Sequence, residues 1–239
     1  QYTDSFGNPV VVSLTNQLRA SGGDPRQSGD SIRVQAPRSL RALTRSVTRE
    51  DFEINGLRVP GLARALMLTR NEQPTIPENQ GQLVVVPAGG GTASGALKAA
   101  VVTMIEGSYP PTLTFVWEVT DPVYRLIDVV AFVTLNRGVA PAVADATIRA
   151  DLTAAFEVLS DGDAEARRNA GEPVLADFGY TLEGVVAMSD VFNVVRDASG
   201  VRKIGDGPTD FLLNGERSDV ELEPNEFAQL GTVQLFNTE

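Results

Sequence analysis

A cluster of glycines lies where a nucleotide-binding protein would carry its phosphate-binding loop. The stretch QLVVVPAGGGTASGALK, residues 82–98, runs from a β-branched apolar segment through Gly89–Gly91 and Gly95 into a segment of helix-forming residues. Dinucleotide folds use this order so that the backbone can approach a pyrophosphate, and an acidic residue after the next strand binds the ribose. Glu118, 23 residues after Gly95, stands in that position.

The spacing of these glycines departs from the known nucleotide-binding motifs. The pattern G-x-G-x-x-x-G is one residue longer than the commoner dinucleotide fingerprint, and Ala96 occupies the position of the lysine in a P-loop. A nucleotide-binding α/β enzyme that uses the Gly89–Gly95 loop is therefore the alternative interpretation. The favoured interpretation is a turn that serves as a hinge between two parts of the chain, formed by Gly89, Gly90 and Gly91.

A second group of chemistry-bearing residues consists of arginines at helical spacing. Residues 25–46 are predicted to be helical, and the spacings of three, four and four place guanidinium groups along one face at Arg38, Arg41, Arg45 and Arg49. Leu40, Leu43 and Val47 are predicted to pack inward from the opposite side. Such an arginine face is either a solvated surface or a binding surface for the carboxylates of a partner, and we assign it as a candidate interaction surface.

Residues 161–172, DGDAEARRNAGE, have oxygen-bearing side chains at the spacing of a calcium-binding hand. The glycine that the sixth loop position requires is replaced by Ala166, and Arg167 would bring a positive charge into the ring of ligands. We therefore predict a polar loop here and assign no metal site and no cofactor.

Composition removes much of catalytic chemistry. The 239 residues include no histidine and no cysteine, which excludes an imidazole base, a thiol nucleophile and a thiolate zinc site. The net charge is −11, but residues 1–70 carry ten arginines and six acids, whereas residues 71–239 carry ten basic and twenty-five acidic side chains. This asymmetry indicates either head-to-tail association of copies or docking on charged neighbours, or simply two solvated surfaces of different charge, and it disfavours nucleic-acid binding. The apolar runs are too short to cross a bilayer.

The order of the predicted elements indicates an α+β fold made of two small units, with helices packed on mostly antiparallel sheets. We predict a strand-and-loop lead-in over 1–24, a helix–helix–strand–strand unit over 25–90 and a C-terminal α+β assembly domain over 91–239. Thr48 and Asp51 have the spacing of a capping box at the start of the second helix. The clearest amphipathic helix follows Pro141, and Leu152 lies on its apolar stripe.

Residues 20–65 contain three motifs in order: SGG at 21–23, APRSLRALTRSVTREDFE at 36–53 and VPGLARA at 59–65. Together they resemble the signature of the baseplate J family, the tail baseplate wedge proteins of contractile phages and related injection machines. The similarity covers about residues 14–236 and is strongest in this stretch. The matching residues are Ser21, Gly22, Gly23, Ala36, Pro37, Leu40, Arg41, Arg45, Val47, Thr48, Asp51, Phe52, Glu53, Val59, Pro60, Gly61 and Ala63. Weaker matches continue at Asp128, Val129 and Val133, at Pro141, Val143, Ile148, Arg149 and Leu152, and in the closing segment DVELEPNEFAQLGTVQL.

The resemblance implies a structural, non-enzymatic protein of the virion. Family members assemble with other wedge proteins, with copies of themselves and with tail hub and tube proteins, in a baseplate built in the host bacterial cytoplasm. Their ring changes shape and triggers sheath contraction. No membrane, nucleic acid or small-molecule substrate is implied.

The sequence departs from the family pattern at three places. The acidic stretch usual after the glycine pair is thin, because DPRQSGD mixes charges of both signs. The segment at 160–180 is longer than usual, and the family's usual N-terminal domain is missing, so we expect the C-terminal part of a longer protein or a short member. A carbohydrate- or receptor-binding tail protein is a further alternative, although only 6% of residues are aromatic and Trp117 lies in an apolar run.

Overall fold

The computed structural model describes residues 2–3, 9–10, 28–42 and 44–238. The helices in this part of the chain are α1 (Gly29–Arg41), α2 (Arg49–Gly56), α3 (Gly95–Ser108), α4 (Pro141–Ala155), α5 (Asp161–Asn169) and α6 (Met188–Asp197). The strands are β1 (Tyr2–Thr3), β2 (Pro9–Val10), β3 (Leu62–Thr69), β4 (Gln80–Pro87), β5 (Val116–Thr120), β6 (Val123–Leu135), β7 (Val185–Val186), β8 (Val201–Ile204), β9 (Phe211–Leu213), β10 (Val220–Glu221) and β11 (Glu226–Thr238). Within these ranges no helix has the length and hydrophobicity to cross a membrane.

The first sheet has the order β3-β4-β5. β3 and β4 are antiparallel, as the sequence predicts, and β4 and β5 are parallel because α3 connects them as a crossover helix. The capping box is also confirmed: Thr48 Oγ1 accepts the Asp51 N–H at 3.2 Å, and an Asp51 carboxylate oxygen accepts the Thr48 N–H at 2.8 Å. These local bonds start α2 directly before the first sheet.

The second sheet is centred on β6. The long strand β11 pairs with it in parallel, and the shorter β8 and β9 pair with it antiparallel. α4 carries Ile148 and Leu152 fully buried into the adjoining core, and α6 does the same with Val191 and Val195. The α+β class and the mostly antiparallel pairing are confirmed, although the longest strand pair is parallel.

The buried side chains form two clusters that share the first sheet. One face of that sheet, with Met67 and Leu83, packs with Phe52 of α2 and Ile105 of α3. The other face belongs to a larger cluster that also holds residues of β6, β11, α4 and α6. The predicted boundary at residue 90 lies between β4 and α3, and residues of α3 and β5 join the same cluster as Phe52, Met67 and Leu83. The division of the chain into units stays a prediction.

The predicted helix over 25–46 is shorter than expected, and this corrects the arginine face. α1 ends at Arg41, so Arg45 lies between helices and the arginines do not share one helical face. Ser46 is held in an extended bridge to Pro111, and its N–H donates to Tyr109 O at 3.1 Å, which draws this backbone out of the helix.

The apolar residues opposite the arginines do not pack inward as predicted. Leu40 and Val47 are 66% and 60% exposed. Leu43 and most of the predicted 1–24 lead-in lie outside the described residues; the described part of the lead-in contains β1 paired antiparallel with β2.

Candidate functional site

Buried and half-buried arginines and carboxylates form a network of ion pairs and hydrogen bonds. It connects α1, α2 and β3 with α5 and with the segment at 177–180, which are distant in sequence. The sequence predicts a polar loop where α5 lies, but Ser160 caps this helix by accepting the Asp163 N–H at 3.2 Å. The two arginines in its last turn suit the C-terminal end of the helix dipole.

Arg38 ties α1 to this network. Its Nη1 lies 2.8 Å from Asp161 Oδ2 of α5, and its Nε lies 3.3 Å from Glu50 Oε1 of α2. Burial lowers the pKa of Arg38, but the carboxylates of Asp161 and Glu50 more than offset this, so the pKa is raised. Arg38 thus binds carboxylates of its own chain.

Arg64 of β3 forms the most buried ion pair. Its side chain is 3% exposed and contacts the carboxylate of Asp177, which is 2% exposed. Arg64 Nη1 also lies 3.2 Å from Asp161 Oδ1, and Arg168 of α5 contacts Asp177 as well. Desolvation by burial lowers the pKa of Arg64. The pair joins β3 to the 177–180 segment. Removing one partner would leave a buried charge that is poorly compensated.

Arg49 connects α2 with β3, with the loop after β3 and with the 177–180 segment. Its Nε donates to Met67 O at 2.7 Å, and its Nη1 lies 2.8 Å from Glu72 Oε1 and donates to the Tyr180 hydroxyl at 2.9 Å. The guanidinium also lies 4.3 Å from the centre of the Tyr180 ring. These contacts combine a charged pair with a cation–π contact.

Glu53 is a network carboxylate whose charged form is disfavoured by burial. Its side chain is 17% exposed, and desolvation by burial raises its pKa to about 7. The Met67 N–H donates to Glu53 Oε1 at 3.0 Å and Arg49 lies 3.6 Å away, and both lower the pKa without cancelling the effect of burial.

The four arginines predicted as an interaction surface therefore divide into two pairs. Arg38 and Arg49 are half-buried in the network. Arg41 and Arg45 are exposed and make no hydrogen bond or ion pair with any residue in the described part of the chain. A role in partner binding stays a prediction for all four, and the surface favours Arg41 and Arg45 for it. Sequence reasoning missed Asp161, Asp177 and Arg64 as network members.

The glycine loop has the strand–loop–helix geometry that the sequence predicts. Gly89, Gly90 and Gly91 have φ of 85°, 82° and 79°, a region that glycine adopts without strain. The Tyr124 hydroxyl donates to Gly91 O at 2.7 Å. The hinge remains a prediction. Residues of the first sheet belong to the larger core cluster, so a pivot at these glycines would have to separate packed side chains.

A carboxylate occupies the place of a phosphate at the start of α3. Asp121, just after β5, accepts the Ala93 N–H at 3.0 Å and pairs with Lys98 Nζ at 2.5 Å. Glu118 accepts a hydrogen bond from Gln82 at 2.9 Å on the exposed face of the sheet. A phosphate at this helix end would be repelled by Asp121, which argues against the nucleotide-binding alternative. No group of three or more carboxylates arranged to hold a metal ion occurs among the described residues.

The fold has a counterpart among solved structures. The chain is similar to a protein in the cryo-EM structure of the six-fold symmetrised baseplate of the anti-feeding prophage. The TM-score is 0.59 at 15% identity, over 87% of this chain and 43% of the other, so the likeness is one of fold and this chain spans less than half of that protein. No known protein family and no curated protein matches the sequence.

Proposed function

We propose that this chain is a structural, non-enzymatic component of a phage-like tail baseplate, a wedge protein related to the baseplate J family. The single observation that carries the proposal is the fold likeness to a baseplate protein over 87% of the chain. The sequence signature at residues 20–65 supports the same assignment independently, because it depends on residue types and spacing alone.

The roles of the signature residues support a structural function. Thr48 and Asp51 start α2, and Phe52 is buried beneath the first sheet. Val59 is also buried, and Gly61 has a φ of +94° in the turn that leads into β3, where its carbonyl accepts the Ala88 N–H at 2.9 Å. The signature thus encodes a capped helix, a tight turn and a core strand, which build a framework rather than a reactive site.

The network gives that framework a property suited to a rearranging particle. Ion pairs connect α1 and β3 to α5 and the 177–180 segment, and Arg49 of α2 donates a hydrogen bond to Tyr180. The ion pairs respond to salt and proton concentration more than an apolar contact does. A subunit held together in this way could change the position of its helices when a neighbour competes for the same charges. We propose that the chain takes part in the baseplate rearrangement that precedes sheath contraction.

Assembly with the neighbouring tail proteins tests the proposal. The chain is expressed from its native gene cluster with an affinity tag, and the particles are isolated by a tag on the sheath. We expect the chain to co-purify with the particles in fixed stoichiometry, and we expect deletion of its gene to stop baseplate assembly. Particles that assemble and contract normally without the chain would refute a structural role in the baseplate.

A further inference from the structure

Two arginines lack partners within a region where the other arginines have them. Among described residues 28–70, Arg33, Arg38, Arg49, Arg58, Arg64 and Arg70 each make an ion pair or side-chain hydrogen bonds within the chain. Arg41 and Arg45 make neither with the described residues, and both are exposed. Their charges are available to another molecule.

Exposed apolar side chains flank these two arginines. Leu40 is 66% and Val47 60% exposed, although both are large aliphatic residues that folding normally buries. We call Leu40, Arg41, Arg45 and Val47 the arginine patch. Arginine is enriched at protein interfaces, and exposed aliphatic side chains beside it add apolar surface that a partner can cover.

The same chain carries a surface of opposite charge. Glu216, Asp219, Glu221 and Glu223, which we call the acidic strip, are exposed and form no ion pair with any described residue. Asp219 Oδ1 accepts the Met188 N–H at 2.7 Å, and the exposed Arg217 within the strip donates to Gly207 O at 2.8 Å. Pro224, next to the strip, accepts the Tyr180 N–H at 3.3 Å, and Tyr180 contacts Arg49, two residues from Val47. These contacts connect the start of α2, next to the arginine patch, with the segment next to the acidic strip.

We infer that the arginine patch of one copy docks on the acidic strip of a second copy. Charge complementarity indicates a second copy as the partner, because guanidinium groups without an ion pair would meet carboxylates without an ion pair. A nucleic acid, the alternative partner, is disfavoured by the net charge of −11. The inference rests on the proposed function in that it names one contact through which copies assemble, and it requires no other baseplate protein.

A charge swap followed by sedimentation velocity tests this contact. The arginine-reversed variant carries Arg41→Glu and Arg45→Glu, and the acid-reversed variant carries Glu221→Arg and Glu223→Arg. We expect the wild-type chain to self-associate at concentrations up to about 100 μM, where a contact of micromolar Kd is populated. Each variant alone should associate at least about tenfold more weakly, and an equimolar mixture should recover association, because unlike chains then present opposite charges to each other.

The net charges separate this contact from general repulsion. Arginine reversal changes the net charge from −11 to −15, and so does the control pair Arg137→Glu and Arg202→Glu, two exposed arginines without described partners. Acid reversal changes it to −7, so general repulsion cannot explain weaker association in that variant. Circular dichroism melts should match the wild type for all variants, since the substituted side chains are exposed.

Three results would overturn the inference: a monomeric wild-type chain throughout the concentration range, a mixture that associates no better than its components, or equal loss in the control pair. Binding of duplex DNA that requires Arg41 and Arg45, without self-association, would also overturn it. Incorporation into particles is scored separately. If the wild-type chain enters particles but the charge swap fails, this contact is refuted and the baseplate role stands. If the charge swap restores association but the chain stays out of particles, the contact stands and the baseplate role is refuted.

Discussion

Replacing Glu53 by glutamine removes a buried carboxylate but keeps an oxygen that can accept the Met67 N–H. In the folded chain burial raises the Glu53 pKa from its ordinary 4.5 to about 7. Below pH 4.5 the group is protonated in both the folded and the unfolded chain. Between pH 4.5 and 7 only the unfolded chain loses the proton, so the unfolding free energy falls as pH rises, and above pH 7 the full penalty applies.

The magnitude follows from the size of the shift. At about 1.4 kcal/mol per pKa unit, the wild-type chain should lose about 2.5 kcal/mol of stability from this group between pH 5 and pH 8. A glutamine side chain cannot ionise, so the substitution should remove that loss. The variant also weakens the contact with Arg49, which keeps Met67 O, Glu72 and Tyr180 as partners. The difference between the two pH values is therefore more informative than the stability at either one.

Urea unfolding at a series of pH values from 5 to 8 measures this difference. We expect the stability of Glu53→Gln relative to wild type to rise by about 2 to 3 kcal/mol across the series. Glu106→Gln is the matched control, because it removes an exposed carboxylate of α3 that has no described partner. Parallel pH curves for wild type and Glu53→Gln would refute the assignment of a buried, destabilising carboxylate.

Further predictions concern the network, the core and the glycine loop. Asp177→Asn should cost about 3 kcal/mol of unfolding free energy, because it leaves the buried Arg64 charge with only the partly exposed Asp161 and removes a partner of Arg168; a loss below about 1 kcal/mol in urea unfolding would contradict the buried pair. Leu152→Ala should cost about 2–5 kcal/mol by leaving a cavity, whereas Val143→Ala, at a 61% exposed site of the same helix, should cost little; equal effects would show that the helix faces are misassigned. Gly89→Ala should cost about 1–2 kcal/mol from its φ of +85° alone, since an added Cβ meets no atom within 4 Å, and an unchanged melting curve would disprove that strain.

The sequence predicts best those features that depend on neighbouring residues. The capping box at Thr48 and Asp51 needs only four consecutive residues, and the β3–β4 hairpin follows from two apolar runs separated by a polar loop. The helix after Pro141 is predictable because its apolar spacing persists over several turns. In each case the interactions that decide the structure are close in sequence.

Features that depend on distant residues were not predictable in the same way. The end of α1 depends on the bridge between Ser46 and Pro111, and the network pairs Arg64 with Asp161 and Asp177, which are 97 and 113 positions away. α5 is not predictable from the sequence because its residues are mostly charged or polar and show no apolar period. The residues that it contacts cannot be identified from spacing. Parallel pairing of β6 with β11 likewise brings together strands from separate parts of the sequence.

The predicted hinge at Gly89, Gly90 and Gly91 needs a measurement of motion. The chain has no cysteine, so two introduced cysteines at exposed sites on either side of the loop, Asn71 between β3 and β4 and Arg137 beyond β6, give unique spin labels. A pivot predicts two or more distances between the labels when isolated and assembled chains are compared. One narrow, unchanged distance would contradict the hinge.

A cryo-EM reconstruction of the intact tail particle tests the baseplate assignment most directly. We expect density for this fold in the baseplate, repeated by the symmetry of the ring and in contact with neighbouring tail proteins. A complete baseplate reconstruction in which every density is explained by other proteins, from particles produced together with this chain, would contradict it.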